Sequence, residues 1–247
     1  MSAAHPRYVA MWSGPRNIST AMLRSWGSRA DTAVIDEPFY AHYLAHSRFR
    51  DQHPGADEIV AAYQTDWQAV AAALTGPIPA GKSIYYQKHM THHMLDHIDL
   101  DWTDALTNCF LIREPGEMLI SYTKVISDPA LEQTGLPRQL ELFERSRRVT
   151  GKIPPVIDAS DVLQDPRRIL SLLCQAIAIP FDEAMLSWPA GKRATDGIWA
   201  KYWYAAVEAS TGFTPVQPRS EPVPDGLRGL LASCTEIYET LYQHRLR

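Results

Sequence analysis

Five short runs rich in β-branched and aromatic residues, at 8–12, 32–35, 84–87, 108–112 and 156–158, are separated by longer stretches with helical spacing or turn signals. Strands alternating with helices need crossover connections, so this order predicts an α/β fold in three layers: a central parallel sheet with helices on both faces. Residues 59–74 and 139–149 are expected as helices, and Pro166 opens another that carries Leu170, Leu173 and Ile177 on one face. From Gly226 onward, Leu227, Leu230, Leu231, Cys234, Ile237, Tyr238 and Leu241 form one apolar stripe, which predicts a helix packed on the body. The proline-rich stretch 211–224 reads as loop, and 188–203 mixes basic and aromatic residues without a clean period, as a ligand-facing loop would.

With 247 residues, 45% of them hydrophobic and 21% charged, the chain is expected to fold as a single domain over 1–247. A net charge of -4 argues against a general nucleic-acid binder, so any anion site must be local. The first residues carry no apolar leader run, and no stretch approaches the roughly 20 apolar residues of a membrane span. Cys109, Cys174 and Cys234 fall on strand or helix faces without metal-like spacing, as reduced core thiols do, and the expected location is cytoplasmic. Oligomeric state has no signature in this sequence.

After the first strand run comes Ser13-Gly14-Pro15-Arg16-Asn17-Ile18-Ser19-Thr20 and then a helical pattern. A strand, a tight turn and a helix start present backbone N–H groups to an anion; Arg16 adds a full charge, and Ser19 and Thr20 add hydroxyls. An ordinary turn capped by Ser19 fits the same residues equally well. After the fourth strand run comes Arg113-Glu114-Pro115-Gly116-Glu117-Met118-Leu119-Ile120-Ser121, in which Pro115 suits a helix start.

These two segments resemble the sulfotransferase family, whose fold is P-loop NTPase-like. Its first loop wraps the 5′-phosphosulfate of 3′-phosphoadenylyl sulfate (PAPS), and the product is 3′,5′-adenosine bisphosphate (PAP). The resemblance implies donor contacts from Pro15, Arg16, Asn17, Ile18, Ser19 and Thr20, and 3′-phosphate contacts from Arg113 and Ser121. Asn17 and Ile18 stand where the family has Ser-Gly, and Ile is expected to resist the positive φ of a tight phosphate turn. A further match, Lys192-Arg193 with Gly197-Ile198-Trp199, resembles the family's late basic loop and implies donor contacts from Lys192, Arg193 and Gly197; a solvated basic loop is the competing reading.

Sulfuryl transfer needs cations for the developing charge and a base for the acceptor proton. Arg16 and Lys88 are the cation candidates; Lys88 follows the third strand run and resembles the family's Lys near a catalytic His, with His89 adjacent and His92 nearby. Asp36-Glu37-Pro38-Phe39 ends the second strand run, and the resemblance to bacterial branches implies Glu37 as general base. Neighbours on a strand point to opposite faces, so only one of Asp36 and Glu37 is expected to face the donor. His89, His93 and His97, like His42 and His46, sit four apart as metal ligands on helices can, but no carboxylate or Cys pattern completes a metal site.

Residues 76–83, Gly-Pro-Ile-Pro-Ala-Gly-Lys-Ser, satisfy the Walker A pattern. They follow a helical pattern and precede a strand, the reverse of a true Walker loop, and two prolines remove N–H donors from the cradle. The function expected from the sequence is therefore transfer of a sulfuryl group from PAPS to a hydroxyl or amine of a small-molecule acceptor, without nucleic acid or membrane. A nucleoside-triphosphate-dependent kinase or hydrolase, or a non-catalytic nucleotide-binding protein, remains the alternative.

Overall fold

A computed structural model describes residues 6–215 and 222–247. Residues 1–5, and 216–221 of the loop expected at 211–224, lie outside the described residues. Strands β1 (Arg7–Ser13), β2 (Thr32–Asp36), β3 (Ile84–Met90), β4 (Thr107–Ile112) and β5 (Val156–Asp158) form one sheet in the order β2-β3-β1-β4-β5. Every pairing is parallel. All five predicted runs are strands. The third extends beyond residue 87, so Lys88 and His89 lie inside β3 rather than after it.

Helices α1 (Ser19–Gly27), α2 (Tyr40–His46), α3 (Ala56–Ala62), α4 (Trp67–Thr75), α5 (Pro115–Tyr122) and α6 (Leu136–Thr150) precede β5. After it come α7 (Ala159–Gln164), α8 (Pro166–Ala176), α9 (Ala200–Trp203), α10 (Ala205–Glu208) and α11 (Arg228–Tyr242). The two-residue period of β1 sends Val9 and Met11 to one face, where they meet Trp26 of α1 and Leu170 and Leu173 of α8. Ala10 and Trp12 go to the other face, against Leu74 of α4, Leu142 of α6 and Leu241 of α11. The three layers follow. The stripe on α11 packs as its period predicts, with Cys234 and Leu241 fully buried, and the cysteines are free thiols in the core.

The helix expected over 59–74 is two helices. Tyr63 is already extended, and Asp66 starts α4 afresh by accepting from the Gln68 N–H at 2.9 Å. A strong N-cap inside an apolar pattern restarts a helix there. The Walker-like segment runs from α4 into β3 at the N-terminal edge of the sheet, and Lys82 donates to the Ala30 carbonyl at 2.7 Å.

From β1 the chain crosses to β2 on one side, whereas β4 lies on the other. This reversal opens a crevice between β1 and β4 at their C-terminal ends, the place where open parallel sheets bind ligands.

Candidate active site

The loop between β1 and α1 folds into the crevice with two residues in the left-handed region, Arg16 at φ 61° and Ile18 at φ 55°. The expectation that Ile18 resists this conformation is therefore overturned. Left-handed backbone costs a β-branched residue about 1–2 kcal/mol, and Ile18 offsets that by packing on the core under α1. Left-handed residues on either side of Asn17 make the concave turn in which successive N–H groups converge on an anion. Gly14 is required for another reason: a Cβ there would stand 2.5 Å from the Thr134 carbonyl oxygen.

The helix that follows starts without a side-chain cap and with no acidic residue in its first turn. Ser19 is thus not the cap that a purely structural turn would have. The positive end of α1 is left to the loop and whatever binds there.

Asn17 ties the loop to β4 by donating from Nδ2 to the Leu111 carbonyl at 3.3 Å, and its buried Oδ1 has no partner. Across the crevice, Arg113 leaves β4 and donates to the Arg16 carbonyl at 2.7 Å, while Glu117 accepts from its other edge at 3.0 Å. Arg16 in turn donates from Nε to the Ser121 hydroxyl at 3.0 Å. Glu117 and Ser121 project from one side of α5, which opens at Pro115 with Glu114 accepting from the Gly116 and Glu117 N–H groups at 2.9 and 2.7 Å. The two motifs, about a hundred residues apart in sequence, form one basic, hydroxyl-bearing corner.

Beside it lies a buried charge cluster. Lys88, 1% exposed, donates to Asp36 at 2.9 Å, Glu37 at 2.7 Å and the Tyr204 hydroxyl at 2.6 Å. Both carboxylates therefore converge on Lys88, which strand alternation does not anticipate, while Glu37 alone of the two lines the neighbouring cavity, as expected. Glu37 has already left β2 and takes φ 41°, which turns its side chain back toward Lys88. Burial raises the Glu37 pKa, and the Asp36 charge adds to the rise against the opposing Lys88; the net direction is upward. Burial works against the Lys88 ammonium, but the two carboxylates outweigh it and hold its pKa above the ordinary value. Tyr204 also donates to Asp36 at 2.7 Å and accepts from Trp199 Nε1 at 3.1 Å.

A cavity of about 460 Å³ joins these parts, within the usual range for small-ligand sites. Residues 15–20, Arg113 and Ser121 line it, together with Glu37, Lys88 and His92. His89 does not: it stacks on Trp12 at 4.3 Å and pairs with Gln87 at 3.1 Å inside the core. Burial lowers its pKa to about 3, and burial with neighbouring His53 does the same for His92, so both imidazoles are neutral.

Lys192, Arg193 and Gly197 also lie outside the cavity lining. Their segment is drawn to α1 by a buried ion pair between Arg24 and Asp196, while Asp36 accepts from the Gly197 N–H at 3.3 Å. From the stretch 188–203, Trp203 lines the cavity, and Tyr204 follows directly. The four-residue histidine spacing does not align the first set on a helix, since His89 is in a strand; His42 and His46 do stack on α2, at 4.4 Å. Among the described residues no His, Cys, Asp and Glu cluster suits a metal ion, and no helix is long and apolar enough to cross a membrane.

The sequence profile of the sulfotransferase domain matches residues 7–244. The chain is 32% identical over 242 residues to branched-chain-amino-acid aminotransferase-like protein 1 of Arabidopsis thaliana, covering 98% of this chain and 42% of that protein. The chain thus spans about two fifths of this relative's length. Among solved structures, it is similar to the sulfotransferase domain from the curacin biosynthetic pathway, with a TM-score of 0.55 and 15% identity over 99% of this chain and 100% of that one. A sulfotransferase from Alicyclobacillus acidocaldarius gives a TM-score of 0.55 and 13% identity over 97% of each chain.

Proposed function

Because the chain belongs to the sulfotransferase domain family, we propose that residues 1–247 act as one domain that moves a sulfuryl group from PAPS to a small-molecule acceptor. The observation that carries this reading is the meeting of Arg16, Arg113 and Ser121 at the N-terminus of an uncapped helix, linked by bonds of 2.7 and 3.0 Å. The left-handed turn around Asn17 belongs to the same corner, and its backbone N–H groups fit a polyanionic nucleotide end. Residues 15–20 would hold the phosphosulfate, and Arg113 and Ser121 the 3′-phosphate. Lys192, Arg193 and Gly197 would reach the donor only if their segment left Arg24 and Asp36.

In the reaction, the acceptor oxygen forms a bond to sulfur while the bond from sulfur to the donor phosphate oxygen breaks. Arg16 and Lys88 stabilise the charge gathering on that leaving oxygen, and Glu37 takes the acceptor proton. A carboxylate whose pKa is raised is a stronger base than an ordinary one, which favours Glu37 over the imidazole of His92 held near 3. Calorimetric titration with PAP against ATP tests the donor class. Tighter binding of ATP, or binding that requires magnesium, would replace this reading with the triphosphate-dependent one.

A further inference from the structure

A lysine ammonium has three N–H groups, and in Lys88 all three are committed: to Asp36 at 2.9 Å, Glu37 at 2.7 Å and the Tyr204 hydroxyl at 2.6 Å. A donor oxygen therefore gains a bond from Lys88 only if one of these partners gives way. The three are not held equally. Tyr204 is fully engaged, since its hydroxyl accepts from Lys88 and from Trp199 Nε1 at 3.1 Å and gives its one proton to Asp36. Asp36, with its side chain 2% exposed, has that hydroxyl at 2.7 and 2.8 Å from its two oxygens and also accepts from the Gly197 N–H at 3.3 Å. Glu37 is the loose partner. Its side chain is 12% exposed and lines the cavity, and the Tyr204 hydroxyl stands 3.4 Å away with its proton already given to Asp36.

We propose that Tyr204 and Asp36 are positioning residues that fix two Lys88 N–H groups throughout the reaction, so that the third passes from Glu37 to the donor's leaving oxygen only as Glu37 is protonated. In that step, which rests on the sulfuryl-transfer reading, the acceptor oxygen bonds to sulfur and the bond from sulfur to the bridging phosphate oxygen breaks, its electron pair staying on that oxygen. The acceptor proton goes to Glu37. A neutral carboxyl holds an ammonium less strongly than a carboxylate does, and the leaving oxygen has gained the charge that the carboxylate lost. Lys88 keeps its protons and changes one partner. The other groups around the pair take no part in the exchange: burial holds the Tyr40 and Tyr204 hydroxyls well above their ordinary range, His53 near 4, His92 near 3 and His93 below the ordinary imidazole range. Arg16 and Arg113 are the remaining charged residues of the lining.

PAP carries the leaving oxygen with its full charge, so its complex should hold the exchanged state without any acceptor. A lack of preference for PAP over 5′-AMP would overturn the donor assignment, whatever the proton count. Calorimetric titration of PAP at about pH 8, above the phosphate pKa of about 6, in HEPES and in Tris then counts the protons bound with it. The unmodified protein is expected to take up at least about 0.3 proton per PAP, and Glu37→Gln none. Tyr204→Phe leaves Lys88 an N–H that can reach the phosphate without quitting Glu37, so its uptake should fall to about half or less. A tyrosine that only braced the fold would lower Tm and leave the count unchanged. If Tyr204→Phe does not fold, the unmodified protein carries the test: its PAP affinity should weaken about 2-fold or more per pH unit between about pH 7 and 9. No uptake by the unmodified protein, equal uptake by Glu37→Gln, full uptake by a folded Tyr204→Phe, or an affinity indifferent to pH would overturn the inference.

Discussion

Arg113 donates to the backbone carbonyl of Arg16 at 2.7 Å, so the side chain that leaves β4 holds the loop that leaves β1. The shape of one motif thus depends on the other.

The first consequence concerns affinity. PAP should bind far more tightly than 5′-AMP, and Arg113→Lys should erase roughly 10- to 100-fold of that preference. The estimate follows from hydrogen bonds to charged groups at about 1.5–3 kcal/mol and from the loss of the planar fork that lysine lacks. Calorimetric titration of both nucleotides checks it, and equal affinities in the unmodified protein would remove the 3′-phosphate assignment.

Lys82 and Arg16 make opposite predictions. Lys82→Ala removes a bond to the Ala30 carbonyl at the far edge of the sheet and should leave nucleotide affinity within about 2-fold. Arg16→Ala should weaken it by 10-fold or more, since it removes a charge from the anion corner. Competition binding with PAP ranks the two, and the reverse order would support the Walker-like loop.

Glu37→Gln keeps the side chain's shape and removes its basicity. Turnover should fall by about 10²–10⁴-fold with PAP affinity unchanged. Because the active form is the carboxylate and its pKa is raised, kcat/KM should climb with pH through a limb above the ordinary carboxylate range. Asp36→Asn removes a neighbouring negative charge that contributes to the rise, so the limb should move to lower pH. A limb that stays in place would show that Glu37 is not the titrating base.

Tyr204→Phe tests the cluster's cohesion. The lost hydroxyl serves Lys88, Asp36 and Trp199 at once, and a buried polar group left short of a partner costs about 1–3 kcal/mol. For a chain of this size each kcal/mol lowers Tm by about 2–4 °C, which a calorimetric scan resolves.

Much of this arrangement is legible in the chain. The strand runs and the closing stripe on α11 follow from period and turn chemistry, and the two motifs that meet in the crevice stand out by residue type and by resemblance to the sulfotransferase family. The end of β3 does not, because Gln87, Lys88 and His89 look like a polar exit. Each is satisfied internally instead: Gln87 by the Leu74 carbonyl at 2.8 Å, Lys88 by its carboxylates and His89 by Trp12. The convergence of Asp36 and Glu37 depends on one left-handed residue, which local propensity does not announce. Tyr204 is harder still, since it joins the cluster from 168 residues beyond Asp36, and the aromatic character of its neighbourhood is its one signal.

The ion pair between Arg24 and Asp196 spans 172 positions, with both side chains almost fully buried and a second contact at 2.8 Å. Removing either partner strands a charge in the interior at a cost of about 3–5 kcal/mol, whereas exchanging both for apolar residues of similar volume is tolerated. Joint inheritance at the two positions is therefore expected. In an alignment of descendants and cousins of this chain, positions 24 and 196 should covary: lineages that lose the arginine lose the aspartate with it, and the segment carrying 192–197 is then released to drift away from α1.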